Sequence, residues 1–238
     1  MERDKAVLDA IAANVKTDDC ACVEYAHECD VRRFDAKQYA DYTIIHMTRS
    51  KEALEKLLEM ERAGATVINN PASVLGCNRR RIEAAMISCG LLTPAKLVEQ
   101  NPELQDKGWW IKSADTTDSS ENHIRFCQHS EQVSQYTGDR AEDEFLIQPH
   151  IEGINIKFYG VLGTDFFYVK EDVSKEVHAS LHNNATVLAQ SLGISIYGGD
   201  AILTHDNKLT IIDFNDFPSF SVCRDEVAEA IKIILTTY

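Results

Sequence analysis

Apolar and polar residues follow two different periods along this chain, and the two periods predict helices and strands in alternation. A helical period runs through 4–15 and again between Ser50 and Gly64, which are typical N-cap and C-terminal stop residues. Two short β-rich apolar runs, 41–47 and 65–68, flank the second of these helices. This strand–helix–strand order predicts a small α/β unit with parallel strands near the N-terminus.

A second pattern predicts a β-hairpin near the C-terminus, where two apolar runs flank the polar turn 204–208. Asp200 lies on the first strand, and Asp213 and Asn215 end the second, two residues apart and therefore on one face. Pairing of the strands would bring these three oxygen-bearing side chains together. Because Mg²⁺ prefers oxygen ligands and usually shares them with phosphates, the hairpin predicts a phosphate-bound magnesium site. The alternative is that Asp213 and Asn215 are only turn residues at a strand end.

Composition narrows the class of protein. The net charge of −14 argues against non-specific binding to nucleic acid or to an anionic membrane surface, so we expect neither partner. No apolar run approaches the roughly 20 residues that span a bilayer, and the first residues lack the apolar core of a signal peptide. The seven cysteines have no regular framework spacing, which favours reduced thiols and a cytoplasmic protein.

The segment 198–218, Gly-Gly-Asp through Asp-Phe-Asn-Asp-Phe-Pro, resembles the metal-binding end of ATP-grasp enzymes. The resemblance covers roughly residues 70–238. Its last motif is most similar to the inositol trisphosphate 5/6-kinase branch, and ribosomal-protein glutamate ligases have similar ends. It implies that the protein uses ATP and Mg²⁺, with two ions held by Asp200, Asp213 and Asn215.

The resemblance also implies the architecture. We expect an α/β (α+β) protein with the ATP-grasp fold, in which two lobes grip ATP behind a small α/β domain. The implied divisions are a small N-terminal domain at 1–75, a central lobe at 76–147 and a C-terminal lobe with the metal site at 148–238.

Nucleotide contacts follow from the same resemblance. The family places an ATP-binding lysine at the end of the strand that holds Lys112. Gln148 and Ile151 match positions that line adenine, and Asn155 matches the ribose position, where the usual residue is acidic. Three arginines, Arg79–Arg81, open a helix where relatives carry a basic pair. Arg79 is our candidate, although the sequence leaves the choice between it and Arg81 open.

Lys157 lies in a Lys-Phe-Tyr segment that resembles a strand of the inositol kinases, where ligases often have arginine near the γ-phosphate or the acceptor. We therefore predict that Lys157 and Lys112 are catalytic and neutralise charge during phosphoryl transfer. For Lys157 the alternative is simple exposure to solvent on the strand.

The sequence is compatible with three functions. The favoured one is phosphoryl transfer to a carboxylate, followed by ligation of the acyl phosphate to an amine. A kinase acting on a polyol phosphate is the first alternative, although the substrate-phosphate histidine of the inositol kinases is missing. A non-catalytic ATP-binding module is the second, because the loop 113–120 has no glycine. In the two catalytic cases the partner is a small-molecule acceptor.

Overall fold

The structure is a computed structural model, and it describes residues 2–15, 23–114 and 124–235, without the side chains of residues 2–4 and 102. Three 3₁₀ turns accompany the regular elements. The α-helices, numbered α1 to α9 in chain order, are Glu2–Val15, Glu28–Val31, Lys51–Ala63, Pro71–Gly76, Arg79–Ser88, Pro94–Gln100, Ser130–Thr137, Lys175–Leu192 and Arg224–Leu235. The strands, numbered β1 to β9, are Thr43–Ile45, Thr66–Ile68, Trp109–Ser113, Ile124–Cys127, Phe145–Pro149, Ile154–Val161, Phe167–Val169, Ile196–Leu203 and Leu209–Asp216.

The N-terminal α/β unit has the predicted parallel strands. β1 pairs with β2 in parallel, and α3 connects them. The Ser50 hydroxyl accepts a hydrogen bond from the Ala53 amide at 3.3 Å, and Gly64 ends the helix at a φ of 123°, which side chains with a Cβ rarely adopt. Helix formation by this segment therefore follows from local signals at both ends.

The central part of the chain forms an antiparallel sheet in the order β4-β3-β5. One of its faces is covered by α7, where Val133 and Tyr136 pack against the buried side chains of Ile111, Cys127 and Phe145. The opposite face carries Lys112 and therefore points away from α7, since alternate residues of a strand face opposite sides.

The last part of the chain forms an antiparallel sheet in the order β7-β6-β8-β9, with the predicted hairpin as β8 and β9. Helix α8, capped by Ser174 and ended by Gly193 in the left-handed conformation, covers one face. Its fully buried Leu181 and Leu188 belong to the same apolar cluster as Phe158 and Phe214 of the sheet. The other face carries Lys157 and Asp200 along its middle, while Tyr159 and Val161 of β6 belong to an apolar cluster with α9.

A β-bulge decides which residues of β9 face the core. Asp200 lies opposite Asp213 while Ala201 lies opposite Ile211, so Ile212 has no partner on β8. As a result Ile211 and Phe214, three residues apart, are both buried in the same cluster. A regular strand would place residues three apart on opposite faces. The bulge therefore allows Ile211 and Phe214 to share the buried face while Asp213 lies on the opposite face.

Two large apolar clusters connect the N-terminal unit to the C-terminal sheet. The first joins Leu54 and Met60 of α3 to the face of the sheet under α8. The second joins α1 to α9 and to the end of β6, with Val7 and Val227 fully buried. These clusters contain residues from both sides of the domain boundary expected near residue 75. The division into three domains is still a prediction. Within the described ranges, no helix has the length and apolar character needed to cross a bilayer.

His46 is a buried polar residue at the end of β1. Its Nε2 lies 2.7 Å from the backbone oxygen of Asn69, so the ring donates a hydrogen bond there when neutral. Burial lowers the pKa of His46 below its ordinary 6.5, because the charged imidazolium loses its hydration. The histidine is therefore part of the core.

The lowered pKa of the buried His46 predicts that the protein loses stability in acid. Below pH 6.5 the unfolded chain binds a proton that the folded chain does not, so the free energy of unfolding falls by up to about 1.4 kcal/mol per pH unit. In His46→Gln, which keeps a donor for Asn69, this part of the fall disappears. Urea denaturation between pH 7 and pH 5 measures it. Parallel curves for the variant and the wild-type protein would contradict the prediction.

Candidate active site

The acidic set predicted from the hairpin comes together on the polar face of the C-terminal sheet. Asp200 and Asp213 are directly opposite each other on β8 and β9. Asn215 follows on the same face, and its Nδ2 lies 3.2 Å from Oδ2 of Asp213. In the described ranges, no three His, Cys, Asp or Glu side chains converge as a metal site. Two carboxylates and an amide fit Mg²⁺, which takes few protein ligands and completes its shell with phosphate and water.

Lys157 is held beside this set. It lies on β6 directly opposite Asp200, and its Nζ is 3.0 Å from one carboxylate oxygen and 3.3 Å from the other. Its backbone is fixed as well, since the Glu171 carboxylate accepts a hydrogen bond from the Lys157 amide at 2.6 Å. The lysine is therefore an ion-pair partner of the acidic set, in contrast to the simple exposure that the sequence left open.

Lys112 approaches the set from the central sheet. Its side chain is buried, and its Nζ donates a 2.6 Å hydrogen bond to the carbonyl of Ile212, the residue that the bulge leaves without a strand partner. Burial lowers the pKa of Lys112 from 10.5, and the carboxylates of Asp213 and Asp200 partly oppose this. The bond joins the two antiparallel sheets beside the acidic set.

The three consecutive arginines have three different surroundings. Arg79 donates from Nη1 to the Ser113 carbonyl at 2.8 Å, and its Nε lies 3.9 Å from Oδ1 of Asp213. That Nε is buried and has no hydrogen-bond partner among the described residues. Arg80 instead donates to two backbone carbonyls near the start of β5. Arg79 is thus the arginine that faces the acidic set, while Arg81 is exposed.

A narrow cleft lies between α5, β5 and β9 beside these groups. The buried Gln148 lines it together with Arg79 and Asp213. The apolar part of the lining comes from Ile82, Met86, Leu146, Ile211, Ile212 and Phe214. The cleft thus places charged groups directly beside apolar side chains of the core.

The structure separates the last two predicted nucleotide residues. Ile151 lies in the segment between β5 and β6 and is buried in an apolar cluster with Leu97 of α6 and Ile202 of β8. Its side chain therefore packs in the core between the two sheets. Asn155 is exposed on β6, two residues before Lys157 and therefore on the same face. The adenine and ribose contacts expected of these residues stay predictions.

Sequence reasoning missed a contact between the N-terminal unit and the end of β9. Arg49 follows β1, and its Nη2 lies 2.9 Å from Oδ1 of Asp216 and 3.4 Å from the Asp216 carbonyl. Burial raises the pKa of Asp216, and Arg49 opposes this shift. One signal was present, because Arg49 precedes the N-cap Ser50 at the carboxyl end of a parallel strand, a common position for ligand contacts.

The remaining polar features are a histidine pair on α8 and the loop 113–120. His178 and His182, four residues apart on α8, pack against the ring of Phe167, with His182 stacked at a centroid distance of 4.4 Å. The glycine-free loop 113–120 lies outside the described residues from position 115 onward.

Comparisons with known proteins bear on the fold. No family model matches the sequence, and no curated protein is similar to it. Among solved structures, the D-alanine–D-alanine ligase from Coxiella burnetii is 14% identical with a TM-score of 0.58, over 82% of this chain and 72% of that one. The ATP-grasp ligase PsnB, complexed with a minimal precursor, Mg and ADP, is also 14% identical, with a TM-score of 0.53 over 79% and 69%.

A third similar structure is the ADP complex of PurK, N5-carboxyaminoimidazole ribonucleotide synthetase, at 13% identity and a TM-score of 0.57. It aligns over 81% of this chain and 58% of its own. At such low identity these matches concern architecture. The mixed α/β architecture expected from the sequence is confirmed, and the fold of the chain is similar to that of the ATP-grasp ligase PsnB and the two other enzymes.

Proposed function

We propose that this protein is an ATP- and Mg²⁺-dependent ATP-grasp enzyme that transfers the γ-phosphoryl group to a carboxylate for ligation to an amine. The observation that carries the proposal is the paired set Asp200, Asp213 and Asn215, with Lys157 3.0 Å from Asp200, where two antiparallel sheets meet. The ligases with similar folds support the choice of reaction.

In this proposal the acidic set holds one or two Mg²⁺ ions, which would neutralise the charge of the ATP phosphates. The donor chemistry fits, because carboxylate and amide oxygens are hard ligands. The carboxylates now have cationic neighbours, with Lys157 Nζ at 3.0 Å from Asp200 and Arg79 Nε at 3.9 Å from Asp213. Each carboxylate of the set thus has a cationic side chain beside it. When ATP binds, its phosphates would become new partners for Lys157 and Arg79.

The remaining predicted residues would hold the nucleotide. Lys112 and Arg79 would contact its phosphates, while Gln148 and the backbone of Ile151 would lie at adenine and Asn155 at ribose. Lys112 supports this role by position, since its Nζ already reaches across to β9. A buried lysine with a lowered pKa gains a strong partner when an anionic phosphate enters, so binding would favour its charged form.

The chemistry balances in two steps. A carboxylate oxygen of the acceptor bonds to the γ-phosphorus while the bond to the bridging oxygen breaks, and ADP leaves with that electron pair. An amine then attacks the acyl carbon, and phosphate leaves as the amide forms and the amine gives up a proton. The contribution of Lys157 and Lys112 is to position the reactants and to balance the charge on the transferring oxygens.

Release of ADP and phosphate across two acceptor panels tests the proposal. One panel contains carboxylates paired with amines, and the other contains inositol phosphates. ADP and free phosphate appearing together, only when both a carboxylate and an amine are present, are expected. ADP without free phosphate, together with a phosphorylated inositol, would establish the kinase alternative. ATP binding with no turnover on either panel would favour the non-catalytic module.

Lys157→Met is expected to lower kcat by about 10²-fold to 10³-fold, because a charge that meets the transferring phosphoryl group is lost. The Kd for ATP should change little, and Lys157→Arg should recover part of the rate. Single-turnover assays with the acceptor found in the panel separate these effects. Lys170→Met removes an exposed lysine from the same lobe and should keep the full rate. A Lys157→Met enzyme as fast as Lys170→Met would contradict the assignment.

A further inference from the structure

The strand that carries Asp213 and Asn215 lies at the edge of its sheet. β9 comes last in the order β7-β6-β8-β9, so in the described part of the chain it pairs with β8 alone. An edge strand has a row of backbone carbonyls that no neighbouring strand binds. Two cationic side chains from other parts of the protein contact β9 instead. The first is Lys112 of the central sheet, whose Nζ donates to the Ile212 carbonyl at 2.6 Å.

Arg49 of the N-terminal unit makes the second contact. Its Nη2 lies 2.9 Å from Oδ1 of Asp216 and 3.4 Å from the Asp216 carbonyl. Asp216 is the last residue of β9 and directly follows Asn215. Ile212 directly precedes Asp213. The two contacts therefore lie on either side of the segment that provides two of the three proposed metal ligands.

The chain leaves the sheet immediately after Asp216. Phe217 has a φ of 58°, a left-handed conformation that is costly for a bulky residue, and its side chain is buried. The Phe217 amide still donates to the Ile196 carbonyl of β8 at 3.0 Å. The backbone is thus strained next to the end of β9, and Arg49 holds the residue at which the chain begins to turn away.

The Arg49–Asp216 ion pair is a poor source of net stability. The Asp216 side chain keeps 12% of its exposure and that of Arg49 keeps 36%. Removing two charges from water costs about as much as their attraction returns, so such a pair as a whole adds little. Removal of one partner alone is different, because the other charge is then left without compensation. The geometry that the pair fixes is a better explanation for its presence.

We propose that Arg49 and Asp216 are positioning residues that hold the end of β9, so that the Asn215 amide oxygen stays in the metal site. This inference rests on the proposed function and adds the N-terminal unit to the parts that shape its metal site. Asn215 Nδ2 lies 3.2 Å from Oδ2 of Asp213, which leaves the amide oxygen for a metal ion. Without the pair the strand end would shift, and Asn215 would move with its neighbour.

Mn²⁺ binding to the full chain saturated with AMPPNP tests the proposal. Water-proton relaxation measures it, because Mn²⁺ on the protein enhances the relaxation rate more than Mn²⁺ on free nucleotide. Arg49→Met should raise the Kd of Mn²⁺ about tenfold and leave the Kd of AMPPNP unchanged. Arg49→Lys should recover part of this loss, because it keeps a cationic donor for the same carboxylate.

The double variant Arg49→Met with Asp216→Asn separates positioning from stability. Arg49→Met alone leaves a largely buried carboxylate without its partner, so urea denaturation should show a loss of stability. The double variant removes that charge and should recover most of the stability. Its Kd for Mn²⁺ should nevertheless stay about tenfold raised, because the contact between the two residues is still missing.

Two control variants should leave the Kd of Mn²⁺ unchanged. Arg33→Met removes another arginine of the N-terminal unit, which makes an exposed pair with Asp30 at 3.8 Å. Ser174→Ala removes the N-cap of α8, whose hydroxyl accepts a hydrogen bond from the Val177 amide. It destabilises a helix that packs on the same sheet without touching the Arg49–Asp216 pair.

The possible failures are distinguishable. If the wild-type protein binds neither AMPPNP nor Mn²⁺, the proposed function fails and this inference fails with it. If Arg49→Met binds Mn²⁺ as tightly as the wild-type protein, the positioning role is wrong and the proposed function stands. The same conclusion follows if the double variant regains both stability and Mn²⁺ affinity, because the role of the pair is then only structural. Weaker AMPPNP binding with unchanged Mn²⁺ affinity would make Arg49 a nucleotide contact and also overturn the inference.

Discussion

Asp213→Asn is expected to lower the rate of ADP release by about 10³-fold, equivalent to about 4 kcal/mol of transition-state stabilisation. The substitution keeps the shape of the side chain but removes a charge from a set that has only two carboxylates, Asp200 and Asp213. It also removes the negative charge that lies 3.9 Å from Arg79 Nε and that interacts electrostatically with Lys112. A site that must neutralise several phosphate charges depends strongly on each of its metal-binding carboxylates.

The measurement is a steady-state ADP assay across a range of Mg²⁺ concentrations. Loss of a metal ligand should raise the concentration of Mg²⁺ needed for half-maximal rate, which a merely structural role would not do. Asp165→Asn provides the matched control, because it removes an exposed carboxylate from the turn between β6 and β7. An Asp213→Asn enzyme that keeps more than a tenth of the rate at ordinary Mg²⁺ concentration would falsify the assignment.

Asn69→Leu is expected to produce the largest loss of stability, about 3–5 kcal/mol in the free energy of unfolding. The buried Asn69 side chain accepts hydrogen bonds from the amides of Ser195 and Ile196 at 2.8 and 2.7 Å, and it donates to the Ile196 carbonyl at 2.8 Å. Leucine has a similar size but makes none of these bonds. Each buried polar group left without its partner costs about 1–3 kcal/mol.

The same bonds connect the fold to the site. Asn69 follows β2 of the N-terminal unit, and Ile196 begins β8, which carries Asp200 four residues later. Asn70→Leu is the comparison, because Asn70 is only half-buried and caps α4, a contribution of about 1 kcal/mol. Urea denaturation of both variants measures the difference. If Asn69→Leu loses no more stability than Asn70→Leu, the hydrogen bonds from Asn69 to Ser195 and Ile196 do not stabilise the fold as proposed.

The sequence predicted those elements that are specified by caps, turns and apolar periodicity within a few residues. The helix between Ser50 and Gly64 was predicted because its cap and its stop are both set within a few residues. The hairpin was predicted because a polar turn separates two apolar strands. The two-residue period of a strand then placed Asp213 and Asn215 on one face. For the same reason the membership of the acidic set follows from the sequence alone.

The tertiary structure decided what depends on contacts between distant segments. The sequence could not choose among Arg79, Arg80 and Arg81, because the choice depends on partners 34 to 134 positions away, which Arg79 and Arg80 contact and exposed Arg81 does not. The burial of Ile151 depends on α6, and the contact of Arg49 depends on the far end of β9. The bulge that leaves the Ile212 carbonyl to Lys112 has no local sequence signal.

The sequence by itself thus determined the N-terminal helices and strands, the C-terminal hairpin, the membership of the acidic set and the family that the chain resembles, because periodicity, caps and turns act over a few residues. Only the tertiary structure decided which cations meet that set and from which segments they come. The physical reason is that burial and ion pairing are properties of the space between elements, and this space exists only once the sheets and helices have packed together.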